Sequence, residues 1–201
     1  KKLTGKPLVI HVHATDFDRS GGNVNPAVYA IEREGMEMAD KIIAVSNLTR
    51  KTIIEKYGIP PEKIDVVYNG VEPSGTKGNL QIKKGVNEKV VTFLGRITMQ
   101  KGPEYFVEAA RLVLEQDNNV RFVMAGSGDM LPGLVRRVAE LGMGTRFHFT
   151  GFLEGKDVDR MFRMSDVFVM PSVSEPFGLV PLEAMRHDVP VVISKQSGVA
   201  E

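Results

Sequence analysis

Glu175 and Glu183 stand eight positions apart in PSVSEPFGLVPLEAM, residues 171–185, with Phe177, Gly178 and Leu179 between them. Two carboxylates can grip hydroxyl groups if the intervening chain holds them near one ligand. DVFVM, just before Pro171, is short and apolar, as a buried strand is, and in GLVPLEAMRH the apolar Leu179, Leu182 and Met185 recur at helical spacing. Pro181 fits the first turn of that helix, where its missing N–H costs no intrahelical bond. Glu175 is thereby placed in a loop at the C-terminal end of a strand, and Glu183 inside the next helix. The helix N-terminus between them offers free N–H groups to a phosphate. An acid on either side for hydroxyls of a sugar or ribose, with a phosphate between, suits a nucleotide-sugar.

Other strand-end segments carry matching chemistry. In GRITMQKG, residues 95–102, Arg96 offers a bidentate fork and Lys101 a point charge, a pair suited to a diphosphate, while Gly95 and Gly102 permit close backbone approach. Two solvated cations are the plainer alternative in a chain with 26 Lys and Arg. AGSGDM, residues 125–130, either brings Gly126 close to a ligand or is a plain strand-to-helix turn capped by Asp129, and the turn is favoured. It lacks the third glycine of a dinucleotide fingerprint. In GFLEG, residues 151–155, Phe152 either faces a nucleobase or fills the core. His11 and His13 alternate along a strand and so share a face. His11 is expected to be a satisfied structural histidine, and His13, nearer the loop, to donate a hydrogen bond to a sugar hydroxyl. DFD (16–18) and DVD (157–159) match the Asp-any-Asp pattern of metal-dependent glycosyl transfer, but the pattern is short. Neither is assigned to a metal, DVD being placed on the solvated face of a helix, and no cofactor is expected.

The elements that must position these residues alternate along the chain. Strands are expected at 7–12, 41–45, 63–68, 89–95, 120–126, 146–151, 166–171 and 190–194, and helices at 25–39, 47–58, 102–116, 130–142, 156–165 and 179–187. Asn25 and Ser46 are expected N-caps and Gly58 a helix stop. This order implies α/β architecture with parallel sheets and right-handed crossovers. Residues 73–87, rich in Gly and polar side chains, read as a linker between a first domain (1–72) and a second (88–201). Ligands of such folds bind outside the C-terminal strand ends, where all the loops above lie.

Composition sets the limits. The 201 residues carry a net charge of +1, which gives no electrostatic case for nucleic acid. There is no Cys, hence no disulfide or thiolate metal site, in keeping with a reducing cytosol. No apolar run approaches the roughly 18 residues of a membrane span. The sequence begins at Lys1 directly before PLVIHVH and stops at SGVAE directly after PVVIS, and it is read as a fragment of a longer protein.

GRITMQKG, AGSGDM, FTGFLEG, DVFVMPSVSEPFGLVPLEAM and VPVVISKQSGVAE follow one another in an order that resembles the retaining glycosyltransferases of family four. The glycogen and starch synthases share the plan. The resemblance covers nearly the whole chain. It implies the GT-B fold: two Rossmann-like domains with the active site in the cleft between them, the first on the acceptor side and the second binding the nucleotide-sugar donor. It also implies transfer of a sugar from a nucleoside diphosphate to an acceptor hydroxyl with retained configuration. The acceptor would be a carbohydrate or a lipid-linked one. Arg96 and Lys101 match the family's phosphate-binding cations, Glu175 its acid at the donor sugar, Glu183 its ribose-binding acid and His13 its sugar-contacting histidine. Amides near Phe177, Gly178 and Leu179 match its phosphate and sugar contacts. Polyglucan synthesis and, for the fragment by itself, nucleotide-sugar binding without catalysis stand as alternatives. The expected location is cytoplasmic, with peripheral membrane association and oligomeric state left open. Asp188 departs from the pattern, standing where the family usually has Gly. About the first hundred family residues and the C-terminal helix that crosses back are absent.

Overall fold

The structure, a computed structural model, describes residues 1, 4–72 and 87–201. The expected linker 73–87 therefore lies, but for residue 87, outside the described residues. The chain forms two compact units. One comprises Lys1–Gly70, Ser174–Gly178 and Lys195–Glu201, the other Val71–Val173 and Leu179–Ser194.

The first unit is built on a parallel sheet, β1 (Val9–Val12), β2 (Lys41–Ala44) and β3 (Ile64–Val66), in that order. Its helices are α1 (Asp16–Ser20), α2 (Pro26–Met38) and α3 (Asn47–Tyr57). Local chemistry sets their ends. The Asn25 side chain accepts from the N–H groups of Ala27 and Val28, the Ser46 hydroxyl accepts from that of Thr49, and Gly58 closes α3 in the left-handed region. The core gathers Ile42, Ala44, Ile53 and Tyr57, with the Tyr57 ring stacked on Tyr29 and edge-on to Phe17. The helix α1 was not anticipated. It forms because Asp18 reaches back to the Thr15 N–H, closing a capping box over DFD.

The described residues of the second unit form five parallel strands: β4 (Lys89–Leu94), β5 (Val120–Ala125), β6 (Phe147–Gly151), β7 (Val167–Met170) and β8 (Val191–Ile193). Their order is β6-β5-β4-β7-β8. The crossovers are α4 (Pro103–Leu114), α5 (Leu131–Glu140), α6 (Lys156–Met164) and α7 (Val180–Arg186). Phe93, Phe106, Phe122 and Phe147 form the centre of the core. Asp129 does not cap α5: the helix starts after Met130 and has no side-chain cap, because the turn is closed by backbone bonds such as Met130 N–H to the Ile97 carbonyl. Asp188 adopts φ 59°, the left-handed conformation that glycine usually supplies. Its N–H reaches Met185 and that of Val189 reaches Ala184, so α7 ends in a Schellman motif. Among the described residues no helix is long and apolar enough to cross a membrane.

Candidate functional site

The second unit adds β5 and β6 on one side of β4 and β7 and β8 on the other, so its strand order reverses between β4 and β7. Open parallel sheets bind ligands outside the carboxyl ends of the strands at such a switch point. A cavity of about 530 Å³ lies at these ends. The loop after β4 lines it with Gly95 and Arg96, that after β5 with Gly126 and Ser127, that after β6 with Phe152 and Leu153, and α7 with Glu183. Five of the residues expected from the sequence, Gly95, Arg96, Gly126, Phe152 and Glu183, thus meet around one space.

The loops are fixed by backbone bonds. Gly95 N–H donates to Ala125, Ile97 N–H to Ser127 and Gly126 N–H to Gly151, at 3.1, 2.8 and 2.8 Å. The approach is close enough to demand glycine: a Cβ on Gly126, at φ 137°, would lie 1.9 Å from the Gly95 carbonyl oxygen, and one on Gly128 2.2 Å from that of Ile97. Gly102, at φ 61°, would place a Cβ 2.3 Å from the Pro171 carbonyl oxygen, so its small size serves loop packing. Gly95 differs, since a Cβ there would meet nothing nearer than 4.0 Å.

Arg96 is exposed, lines the cavity and donates to the Gln100 side chain at 3.1 Å. Lys101 ends a 3-10 turn, Met99–Lys101, and runs its stem beside Gly95 without lining the cavity. Phe152 is 71 % exposed, which overturns the core alternative for this ring. It follows β6, an edge strand of the five-stranded sheet. Leu179, at the start of α7, is also outside the cavity lining; its carbonyl accepts from Glu183 N–H.

Three titratable lining residues escaped the sequence reading, Asp159, Arg186 and His187. Asp159 accepts from His187 Nε2 at 3.1 Å, and Arg186 lies 3.6 Å from the same carboxylate oxygen. The His187 ring stacks on Phe162. The expectation that the DVD segment lies on a solvated face holds for Asp157, which is exposed, but not for Asp159, which lines the cavity. The available signal was the helical spacing of Val158 and Phe162, which turns that face of α6 inward.

The first unit holds the other expected residues. Glu175 is 7 % exposed, and its backbone bonds on both sides, N–H to the Gln196 carbonyl and carbonyl to the Gly198 N–H, at 3.0 and 2.9 Å. Phe177 is buried against Tyr68, and Gly178 has φ 97°. His13 is exposed. His11 is exposed as well, not the satisfied structural histidine expected; its ring lies 4.1 Å from that of His13 because alternate residues share a face. Its pKa is pushed down, first by desolvation and then by the like charge His13 can carry.

Comparison with known proteins gives a consistent picture. Residues 79–201 match the profile of the glycosyl transferases group 1, and residues 1–74 that of glycosyltransferase family 4. The chain is 35% identical over 214 residues to an uncharacterized glycosyltransferase of Methanocaldococcus jannaschii, covering 100% of this chain and 55% of that protein. It is 31% identical to the Escherichia coli UDP-Gal:alpha-D-GlcNAc-diphosphoundecaprenol alpha-1,3-galactosyltransferase, covering 98% of this chain and 54% of that one. The Anabaena protein HepE, solved in complex with UDP and glucose, superposes with a TM-score of 0.81 at 25% identity over 97% of this chain and 54% of HepE. The chain thus spans about half the length of these relatives.

Proposed function

Because this chain belongs to the group 1 glycosyl transferases and has the α/β fold of their GT-B type, we propose that the whole protein moves a sugar from a nucleoside-diphosphate donor to an acceptor hydroxyl, with retained configuration. The chain's second unit is the donor-binding part of that enzyme. The observation that carries this reading is the cavity at the strand-order switch point, cationic at Arg96 and acidic at Glu183. UDP bound to a similar fold in HepE agrees with it.

In this scheme Arg96 and Lys101 stabilise the charge that grows on the departing diphosphate. Glu183 accepts hydrogen bonds from the ribose hydroxyls, and the exposed face of Phe152 stacks on the base. Glu175 orients the donor sugar and stabilises positive character at the anomeric carbon; His13 and the amides near Phe177 and Gly178 take the sugar and phosphate roles that the resemblance gives them. A phosphate oxygen of the donor takes the acceptor's proton. Calorimetry of the intact protein with UDP, GDP and ADP tests the binding half: Arg96→Ala should weaken the preferred nucleotide at least about tenfold, the effect of losing a charge-assisted hydrogen bond. Lys101→Ala should lower turnover. Binding of none of the three nucleotides by the wild type would overturn the reading.

A further inference from the structure

The segment that carries Glu175 is tied down at every residue from 174 to 177, all within the first unit. The Ser174 hydroxyl donates to Asp18 at 3.1 Å. Glu175 is bracketed by Gln196 and Gly198, as described. The Ser46 hydroxyl donates to the Pro176 carbonyl at 2.6 Å, with Thr49 Oγ1 3.4 Å from the same oxygen. Val199 N–H donates to the Phe177 carbonyl at 2.9 Å.

The two side-chain ties come from strand-to-helix turns of the same sheet. Asp18 follows β1, where its second oxygen already accepts from the Thr15 N–H and hydroxyl. Ser46 follows β2 and is wholly buried. The fit around it leaves no slack: a Cβ on Gly198 would come within 2.1 Å of the Pro176 oxygen and 2.6 Å of the Ser46 Cβ. The 3-10 turn Gly198–Ala200 is itself anchored, because the Glu201 carboxylate that follows it accepts from the Asn47 and Leu48 N–H groups at 2.8 and 2.7 Å, at the start of α3. Burial works against the charge of Glu201, but these backbone bonds outweigh it and hold its pKa below the usual glutamate range.

We propose that Ser46 and Asp18 are positioning residues that clasp the Glu175 loop, Ser46 by the Pro176 carbonyl and Asp18 by the Ser174 hydroxyl, and thereby set the placement of the Glu175 carboxylate for sugar transfer. The inference rests on the role given to Glu175 under the proposed function. It also gives DFD a use that involves no metal: Asp18 caps α1 with one oxygen and holds Ser174 with the other.

The test uses the intact protein with Ser46→Ala, Ser174→Ala and the double variant. Ser174→Ala removes the tie to Asp18 without touching a helix cap, whereas Ser46→Ala also uncaps α3. Amide hydrogen exchange at Glu175 and Phe177, which flank the proline, should quicken about tenfold in Ser46→Ala, as for a lost buried hydrogen bond. The kcat with UDP-glucose, GDP-mannose or ADP-glucose, whichever the wild type uses, should fall about tenfold, since small misplacements of a reacting group are costly. The Kd for the free nucleoside diphosphate should change less than kcat does, because that ligand lacks the sugar and meets this loop only through backbone amides. Restoring a hydroxyl with Ser174→Thr should recover most of the activity lost in Ser174→Ala. Exchange that does not change, or kcat that holds while exchange quickens, overturns the clasp. A wild type that binds nucleotide but transfers from none of the three donors refutes the functional reading and with it the catalytic half of this inference; the exchange result still decides whether the clasp exists.

Discussion

Gly126→Ala should damage fold and binding together, and the size of the damage follows from geometry. The added Cβ would sit 1.9 Å from the Gly95 carbonyl oxygen, whereas real Cβ contacts essentially never fall under 3.0 Å, so the loops after β4 and β5 must part by about 1 Å. Neither can yield cheaply, since the atom in the way is backbone and both loops are held by strand-end hydrogen bonds. Overpacking of this kind costs about 1–3 kcal/mol. Holding alanine at φ 137° adds strain of about 1–3 kcal/mol. A loss of about 2–6 kcal/mol is large beside a total stability of about 5–15 kcal/mol. Thermal denaturation should show Tm lowered by about 4 °C or more. Calorimetry with the preferred nucleoside diphosphate should show at least about a tenfold loss of affinity, because the displaced loop carries Arg96. Gly133→Ala is the control: nothing lies within 4 Å of its Cβ position inside α5, and alanine there should gain about 0.5–1 kcal/mol. A Gly126→Ala protein that melts and binds as the wild type does would refute the argument.

Asp188→Gly should stabilise the protein by about 1 kcal/mol, because it removes the left-handed penalty at φ 59° while keeping both Schellman bonds; a lower Tm would contradict this. Phe152→Ala should change stability by less than about 0.5 kcal/mol, the ring being 71 % exposed, yet weaken nucleotide binding about tenfold if it stacks on the base. Unchanged calorimetry would remove Phe152 from the site. Glu88 receives hydrogen bonds from Arg121 Nε, at 2.7 Å, and from Arg146, and the Arg121 bond first of all holds its pKa below the ordinary 4.5. A folded-state pKa lower than the unfolded one stabilises above the unfolded value, and the gain disappears as pH falls through the folded value. Glu88→Gln should therefore melt below the wild type at neutral pH, with the gap closing under acid conditions; a gap that persists unchanged at low pH would show that the charge is not its source.

What the sequence made legible was local. Asn25, Ser46 and Gly58 mark helix ends through bonds to residues two to four positions away, and the structure keeps all three. Strand alternation gave the parallel sheets, since crossovers through helices leave few other topologies. Where a side chain's meaning depended on a distant segment, the residues were silent. Nothing within GFLEG tells a core ring from an exposed one; the edge position of β6 does. Asp159 and His187 meet across 28 positions, and the intervening strand and turn leave no periodic trace of the pairing. Ser46 reads as a cap alone, yet its hydroxyl also reaches a carbonyl 130 positions later. Cap and clasp use opposite capacities of one group, since the oxygen accepts from Thr49 while the proton goes to Pro176. Only a residue with both a lone pair and a hydroxyl hydrogen serves the two ends at once. Aspartate at this position would keep the cap but present no proton to the Pro176 carbonyl, so the two roles of Ser46 are chemically separable.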